Sequence, residues 1–293
     1  MTKTADDAAP IATKGLVMRA AQASWYDALA AVLTLGRERA LRDRLAQLAR
    51  LAPGEAVLDV GCGTGSLALA AKRQVGATGT IVGVDASPEM IALAARKAAR
   101  AGADVTFRNA CAERLPFPDG TFDAVLSTLM LHHLPATLRR ECAREAFRVL
   151  KPGGRMLAVD FSRPSLKRGG LLARLHRHGG VPLDAMVALL RDAGLRVEET
   201  GSVGVSDLQF VLAVTPKPGE DATQHDAVPA TRALPPLGGA RWILAAVVVA
   251  ALAAHVWMAG RLAGMVSLSV AGIAAGAIAL VGVAVHVLGM RRR

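Results

Sequence analysis

The chain has 293 residues, 52% of them hydrophobic and 3% aromatic, and its mean hydropathy is +0.35. That composition excludes a disordered chain and requires either Ala/Val/Leu/Gly-rich packing or a membrane part. The formal net charge of +11 is uneven, because five of the 35 Lys and Arg and none of the 24 acids lie beyond residue 240. The first 240 residues are thus only mildly basic. No nucleic-acid partner is expected, since that function needs a concentrated basic stripe. Cys62, Cys111 and Cys142 are isolated and lack a Cys-x-x-Cys spacing, so neither a disulfide framework nor a metal site is indicated and a reduced compartment fits.

Residues 1–21 read as a tail, with two acids and a proline in the first fifteen positions and no apolar run of signal-peptide length. An amphipathic helix over about 24–51 follows. The turn Pro53-Gly54 leads into an apolar strand over 56–60, which ends in Gly61-Cys62-Gly63-Thr64-Gly65 and gives way to a helix over 66–75. A buried strand entering a glycine turn and then a helix is the sequence picture of a nucleotide site. A second strand over 80–84 ends at Asp85, and a helix over 88–101 starts with Pro88 in its first turn after Ser87. Further strands are expected over 105–108, 122–127 and 155–161, the last after the turn Lys151-Pro152-Gly153-Gly154, with a helix over 139–150 before it. A helix over 183–193 precedes strands over 195–200 and 208–214, which a short turn forces to pair antiparallel. The expected fold is a Rossmann-like α/β domain with seven strands, mostly parallel, one reversed.

Residues 216–240 carry Pro216, Pro218, Pro229, Pro235 and Pro236 without hydrophobic periodicity, the composition of a flexible linker. Residues 241–293 contain two apolar stretches, about 242–260 and 264–288, each long enough to cross ~30 Å of hydrocarbon. They predict a transmembrane helix pair. Arg241 before the first span and Arg291, Arg292 and Arg293 after the second, against Arg261 between them, orient both ends to the cytoplasm. Gly260/Gly264 and Gly272/Gly276 are spaced for close helix approach and self-association in lipid.

The glycine turn has the spacing G-x-G-x-G, whereas a dinucleotide fingerprint wants its third glycine one position later. Asp85 ends the next strand, where a carboxylate can accept both hydrogens of a ribose diol. The run Val57-Leu58-Asp59-Val60-Gly61-Cys62-Gly63-Thr64-Gly65, with Asp85, Leu115-Pro116-Phe117, Phe122-Asp123 and Leu150-Lys151-Pro152-Gly153-Gly154, resembles the class I S-adenosylmethionine-dependent methyltransferases. The resemblance covers about residues 22–215. Tyr26-Asp27, Leu35-Gly36-Arg37 and Phe161-Ser162-Arg163-Pro164 are similar to the branch that includes the ubiquinone/menaquinone C-methyltransferases and the bacterial phospholipid N-methyltransferases.

The resemblance implies S-adenosylmethionine as cofactor and assigns roles residue by residue. Gly61 and Gly63 let the backbone approach the cofactor, and Gly65 lets the next helix pack closely. Asp59 is expected near the methionine amino group and Asp85 on the ribose hydroxyls. The family's D-A-E-x-L-P-F segment brings an acid to the adenine amino group, but here that position is Cys111, a poor acceptor. The amide of Ala112 can still read an adenine ring nitrogen. His132 and His133, beyond the fourth strand, are candidates for a general base, or else shape the turn that follows. The basic segment over 162–181 suits either an anionic bilayer surface or solvent. The function expected is a membrane-anchored methyltransferase acting at the cytoplasmic face on a lipophilic small molecule, a quinone-like or isoprenoid ring or a phospholipid amine. The alternatives are a methyltransferase of a soluble metabolite or protein that its anchor merely localises, and a non-catalytic cofactor-binding module.

Overall fold

The computed structural model describes residues 38–162, 180–205, 207–217, 219 and 229–235. All of them belong to one of two compact units of the chain, Met1–Ala28 with Arg37–Pro236; the other, Leu29–Gly36 with Leu237–Arg293, lies outside the described residues. In chain order the elements are α1 (Glu38–Leu48), β1 (Ala56–Val60), α2 (Ser66–Val75), β2 (Thr80–Asp85), α3 (Pro88–Arg100), β3 (Thr106–Asn109), β4 (Phe122–Thr128), α4 (Ala136–Val149), β5 (Leu150–Phe161), α5 (Leu183–Asp192), β6 (Arg196–Ser202), β7 (Leu208–Val214) and β8 (Ala230–Ala233).

β1 is the pivot of the sheet. Four of its five residues are buried, as expected for an apolar run without alternation in a strand covered on both faces. It pairs in parallel with β2 on one side and β4 on the other, in the order β3-β2-β1-β4-β5-β7-β6-β8. β7 runs antiparallel to both β5 and β6. The chain steps outward from β1 in both directions, so right-handed crossovers put α2 and α3 on one face and α4 on the other. On the α4 face, Leu58 and Val125 join Ala143, Ala146, Met186 and Leu190 in one core cluster. α3 opens as its sequence predicts, with the Ser87 hydroxyl accepting from the Met90 amide at 3.3 Å and Pro88 in the first turn.

Two expectations change. The sheet has eight strands among the described residues, not seven: β8 comes from the 216–240 segment read as linker and lies parallel to β6. All four of its side chains are exposed, so no apolar alternation announces it. The Lys151–Gly154 turn is also part of β5, because Leu150 pairs with Phe122 across a register shift and the chain bulges without leaving the sheet. The first helix is described from Glu38 only. Among the described residues no helix is long and apolar enough to cross a membrane, and the spans expected at 242–260 and 264–288 lie outside them, as do the tail and residues 163–179 of the basic segment.

Candidate active site

Parallel strands that diverge from a central pair leave a crevice at their carboxyl ends. Here the chain reverses direction across the sheet between β1 and β4, and a cleft opens there. The glycine turn forms its floor. The amides of Gly61 and Cys62 both donate to the Val84 carbonyl, at 2.8 and 2.9 Å, which folds the turn onto the end of β2. The Gly63 amide donates to Asp85 Oδ2 at 2.9 Å, and a Cβ on Gly63 would meet no protein atom within 4 Å. With φ at +52°, this position presents backbone to the cleft. Gly61 lines the cleft too. Gly65 does not; a Cβ there would press on Phe107 and Ala94, so this glycine lets the turn sit against β3 and α3.

Asp85 holds the turn with both oxygens, since its Oδ1 also accepts from the Ser87 amide at 2.9 Å. Burial raises its pKa and those two amides work against the rise. Lone pairs remain on each oxygen, so the carboxylate can still accept from a diol. Asp59 is 1% exposed and lies outside the cleft lining. Burial pushes its pKa up to about 7, with Asp85 adding to the rise and Arg42 and the Ala68 amide opposing it. Its Oδ2 has no hydrogen-bond partner.

Arg42 is the functional candidate that the sequence reading missed. It reaches the cleft from α1, and its buried Nε also lacks a hydrogen-bond partner, with Glu38 Oε1 at 3.7 Å. One signal was available: Arg42 sits beside the buried stripe Leu41, Leu45 and Leu48, where a cation needs a reason.

On the β3 side, Ala112 lines the cleft with Ala110 and Glu113, but Cys111 between them does not. Its thiol is turned away and buried, and burial raises its pKa, with Glu113 adding to the shift. The two histidines also part company. His133 lines the cleft, near Leu129, Met130 and Leu134. His132 does not: its Nδ1 lies 2.7 Å from Asp160 Oδ1 and its amide donates to Asp160 Oδ2 at 2.9 Å. Asp160 is fully buried, and the two imidazoles face one another at 3.9 Å between ring centroids. The Arg139 guanidinium braces the same turn, donating from Nε to the carbonyls of Leu131 and Leu134 at 2.8 Å each. Leu129, with φ at +56°, is a strained position that turns the chain from β4 into the cleft.

The model of a methyltransferase domain matches residues 57–154, the stretch that builds this cleft from β1 to the start of β5. Over 152 residues the chain is 40% identical to the demethylmenaquinone methyltransferase of Thermus thermophilus, covering 52% of this chain and 67% of that one. It belongs to the class I S-adenosylmethionine-dependent methyltransferases. A second relative of this methyltransferase, the ubiquinone/menaquinone biosynthesis C-methyltransferase of Salmonella arizonae, is 35% identical over 147 residues, half of this chain and 58% of the relative's length. The S-adenosylmethionine-dependent methyltransferase of Aquifex aeolicus has the same fold, with a TM-score of 0.53 over 67% of this chain and 98% of its own, at 22% identity. S-adenosylmethionine fits the residues present. The open cradle at Gly63 and the orphaned Arg42 Nε beside the cleft are what a nucleoside-bearing ligand with a carboxylate requires.

Proposed function

We propose that this methyltransferase methylates a carbon of a lipophilic, quinone-like phenolic ring. The observation that carries the reading is His133, an imidazole among the apolar walls of Leu129, Met130 and Leu134 on the β4 side of the cleft. S-adenosylmethionine supplies an activated methyl group on its sulfonium, so the chain itself must align the acceptor and exclude water. A ring carbon becomes nucleophilic when the neighbouring phenol loses its proton, and His133 Nδ1 or Nε2 takes that proton. The buried Asp160–His132 pair positions the turn that carries it. The relatives named for quinone methylation support this acceptor class.

In this reading the Asp85 carboxylate holds the ribose hydroxyls, and Gly61 and Gly63 let the backbone approach the cofactor. Arg42 meets the methionine carboxylate and the Ala112 amide an adenine ring nitrogen, whereas Asp59, expected from the sequence beside the methionine ammonium, is buried outside the cleft lining. The poor acceptor Cys111 lies outside the cleft, so it lends no weight to the alternative of a non-catalytic cofactor-binding module. The catalytic domain spans about residues 22–215, and residues 241–293 anchor it to the cytoplasmic face through two spans that can self-associate; the sequence pattern supports this.

The test is to incubate the full chain in membranes with methyl-labelled S-adenosylmethionine and separate the products. Label in a quinone fraction is expected. Label confined to phospholipid, protein or water-soluble products would overturn the acceptor assignment.

A further inference from the structure

Adenine recognition has lost the acid that the family pattern brings to it, and the structure points to where another acceptor stands. Asn109, the last residue of β3, pairs with Asp85, and the Ala110 amide donates to the Asp85 carbonyl at 3.1 Å. The loop after β3 therefore departs beside the carboxylate assigned to the ribose. The Arg114 amide then donates to the Cys111 carbonyl at 3.2 Å, closing a turn over residues 111–114. This turn buries the Cys111 side chain and leaves Ala112 and Glu113 on the cleft.

Few groups there can accept a hydrogen bond from an amino group. Ala110 and Ala112 have no polar side chain, the Cys111 thiol is a poor acceptor turned elsewhere, and the Asn109 side chain donates to the Asp85 carbonyl at 2.8 Å outside the cleft lining. Glu113 differs from all four. It lines the cleft, is partly buried, and neither accepts a hydrogen bond nor forms an ion pair among the described residues. Strand order sets which end of the cofactor it meets. The cleft runs from the β4 side, with His133, past the glycine turn and Asp85 to the β3 loop. A nucleoside whose ribose sits on Asp85 directs its base toward residues 110–113.

We propose that Glu113 is the specificity-determining residue for adenine, its carboxylate accepting a hydrogen bond from the exocyclic amino group in place of the missing acid at Cys111. The inference rests on the assignment of Asp85 to the ribose. A carboxylate that accepts from an amino group also rejects an oxo group, which offers lone pairs where a donor is needed.

The experiment is calorimetric and needs no turnover: the full chain in detergent is titrated with S-adenosylhomocysteine and with S-inosylhomocysteine, which carries an oxo group for the amino group. The native chain should prefer the adenosine compound by ~10–100-fold, the scale of one hydrogen bond to a charged group. Glu113→Gln, whose amide can donate to an oxo group, should bring that ratio close to one, and Glu113→Ala should lower it chiefly by weakening the adenosine compound. Cys111→Ala should leave it unchanged. An unchanged ratio in both folded Glu113 variants, or its collapse in Cys111→Ala, would overturn the proposal. If Asp85→Ala binds the adenosine compound like the native chain, the ribose assignment fails instead.

Discussion

Asp59 is an ionisable group with a cost. Its pKa is about 7 in the folded chain against 3.8 ordinarily, with burial as the leading cause, so the folded state binds its proton more tightly than the unfolded state does. Its contribution to stability is therefore greatest at low pH and falls as pH rises from about 4 to about 7. Asp59→Asn should remove that slope, and above pH 7 it should raise stability by a few kcal/mol at most, on the scale of ~1.4 kcal/mol per pKa unit. Thermal melts at pH 5 and pH 8 check this: an equal shift at both would mean that Asp59 does not titrate in this window. The cofactor should bear the opposite sign. Asp85→Ala and Arg42→Met should each weaken S-adenosylmethionine binding by ~10–100-fold, the loss of a charge-assisted hydrogen bond. Calorimetry on both variants tests it, and native affinity in Arg42→Met would leave the buried Arg42 Nε without a ligand to explain it.

Edge strands show where sequence reasoning stops. β8 covers the open side of β6, and Arg44 on α1 secures its end by donating to the carbonyls of Val203 at 2.9 Å and Pro235 at 2.8 Å. Gly201 on β6 leaves room for it, since a Cβ there would collide with the Arg232 backbone. A fragment ending at residue 217 should therefore aggregate, because it bares the β6 edge, whereas one ending just after Pro235 should stay monomeric. Light scattering on the two fragments distinguishes them. β8 was illegible because backbone pairing and polar contacts such as the Arg232–Glu199 ion pair, at 3.7 Å, hold an exposed strand and leave no hydrophobic period to read. The inner strands were legible for the opposite reason: β1, β2, β4 and β7 fall within a residue of their expected limits, as burial demands mostly apolar runs. The site was half legible. Glycine spacing and a strand-end carboxylate pointed to Gly61, Gly63 and Asp85, which line the cleft, but nothing in Leu131-His132-His133-Leu134 says which imidazole turns to it. The buried partner that decides it, Asp160, is 28 residues away from His132.

At the scale of the whole molecule, the proposed site and the apolar C-terminal residues are separable in sequence, because every residue proposed to hold the cofactor lies between Arg42 and Glu113 and the proposed base His133 also precedes residue 241. A fragment ending just after Pro235 should thus bind S-adenosylmethionine like the full chain. Its turnover should fall on acceptor held in vesicles but not on acceptor in detergent, since a tether raises effective concentration only at the bilayer. Equal losses in both would put residues 241–293 in the acceptor site. The strand order also bears on how the protein is made. Once out of the ribosome, β1 finds β2 soon after, yet its other edge waits for β4, with Val57 pairing with Ala124. At ~5–20 residues per second, that apolar strand stays half-paired for several seconds of synthesis. Nascent chains stalled once β3 has emerged should be readily cleaved by protease, and those stalled after β5 should resist it, so birth rather than the finished fold is when this methyltransferase most needs a chaperone.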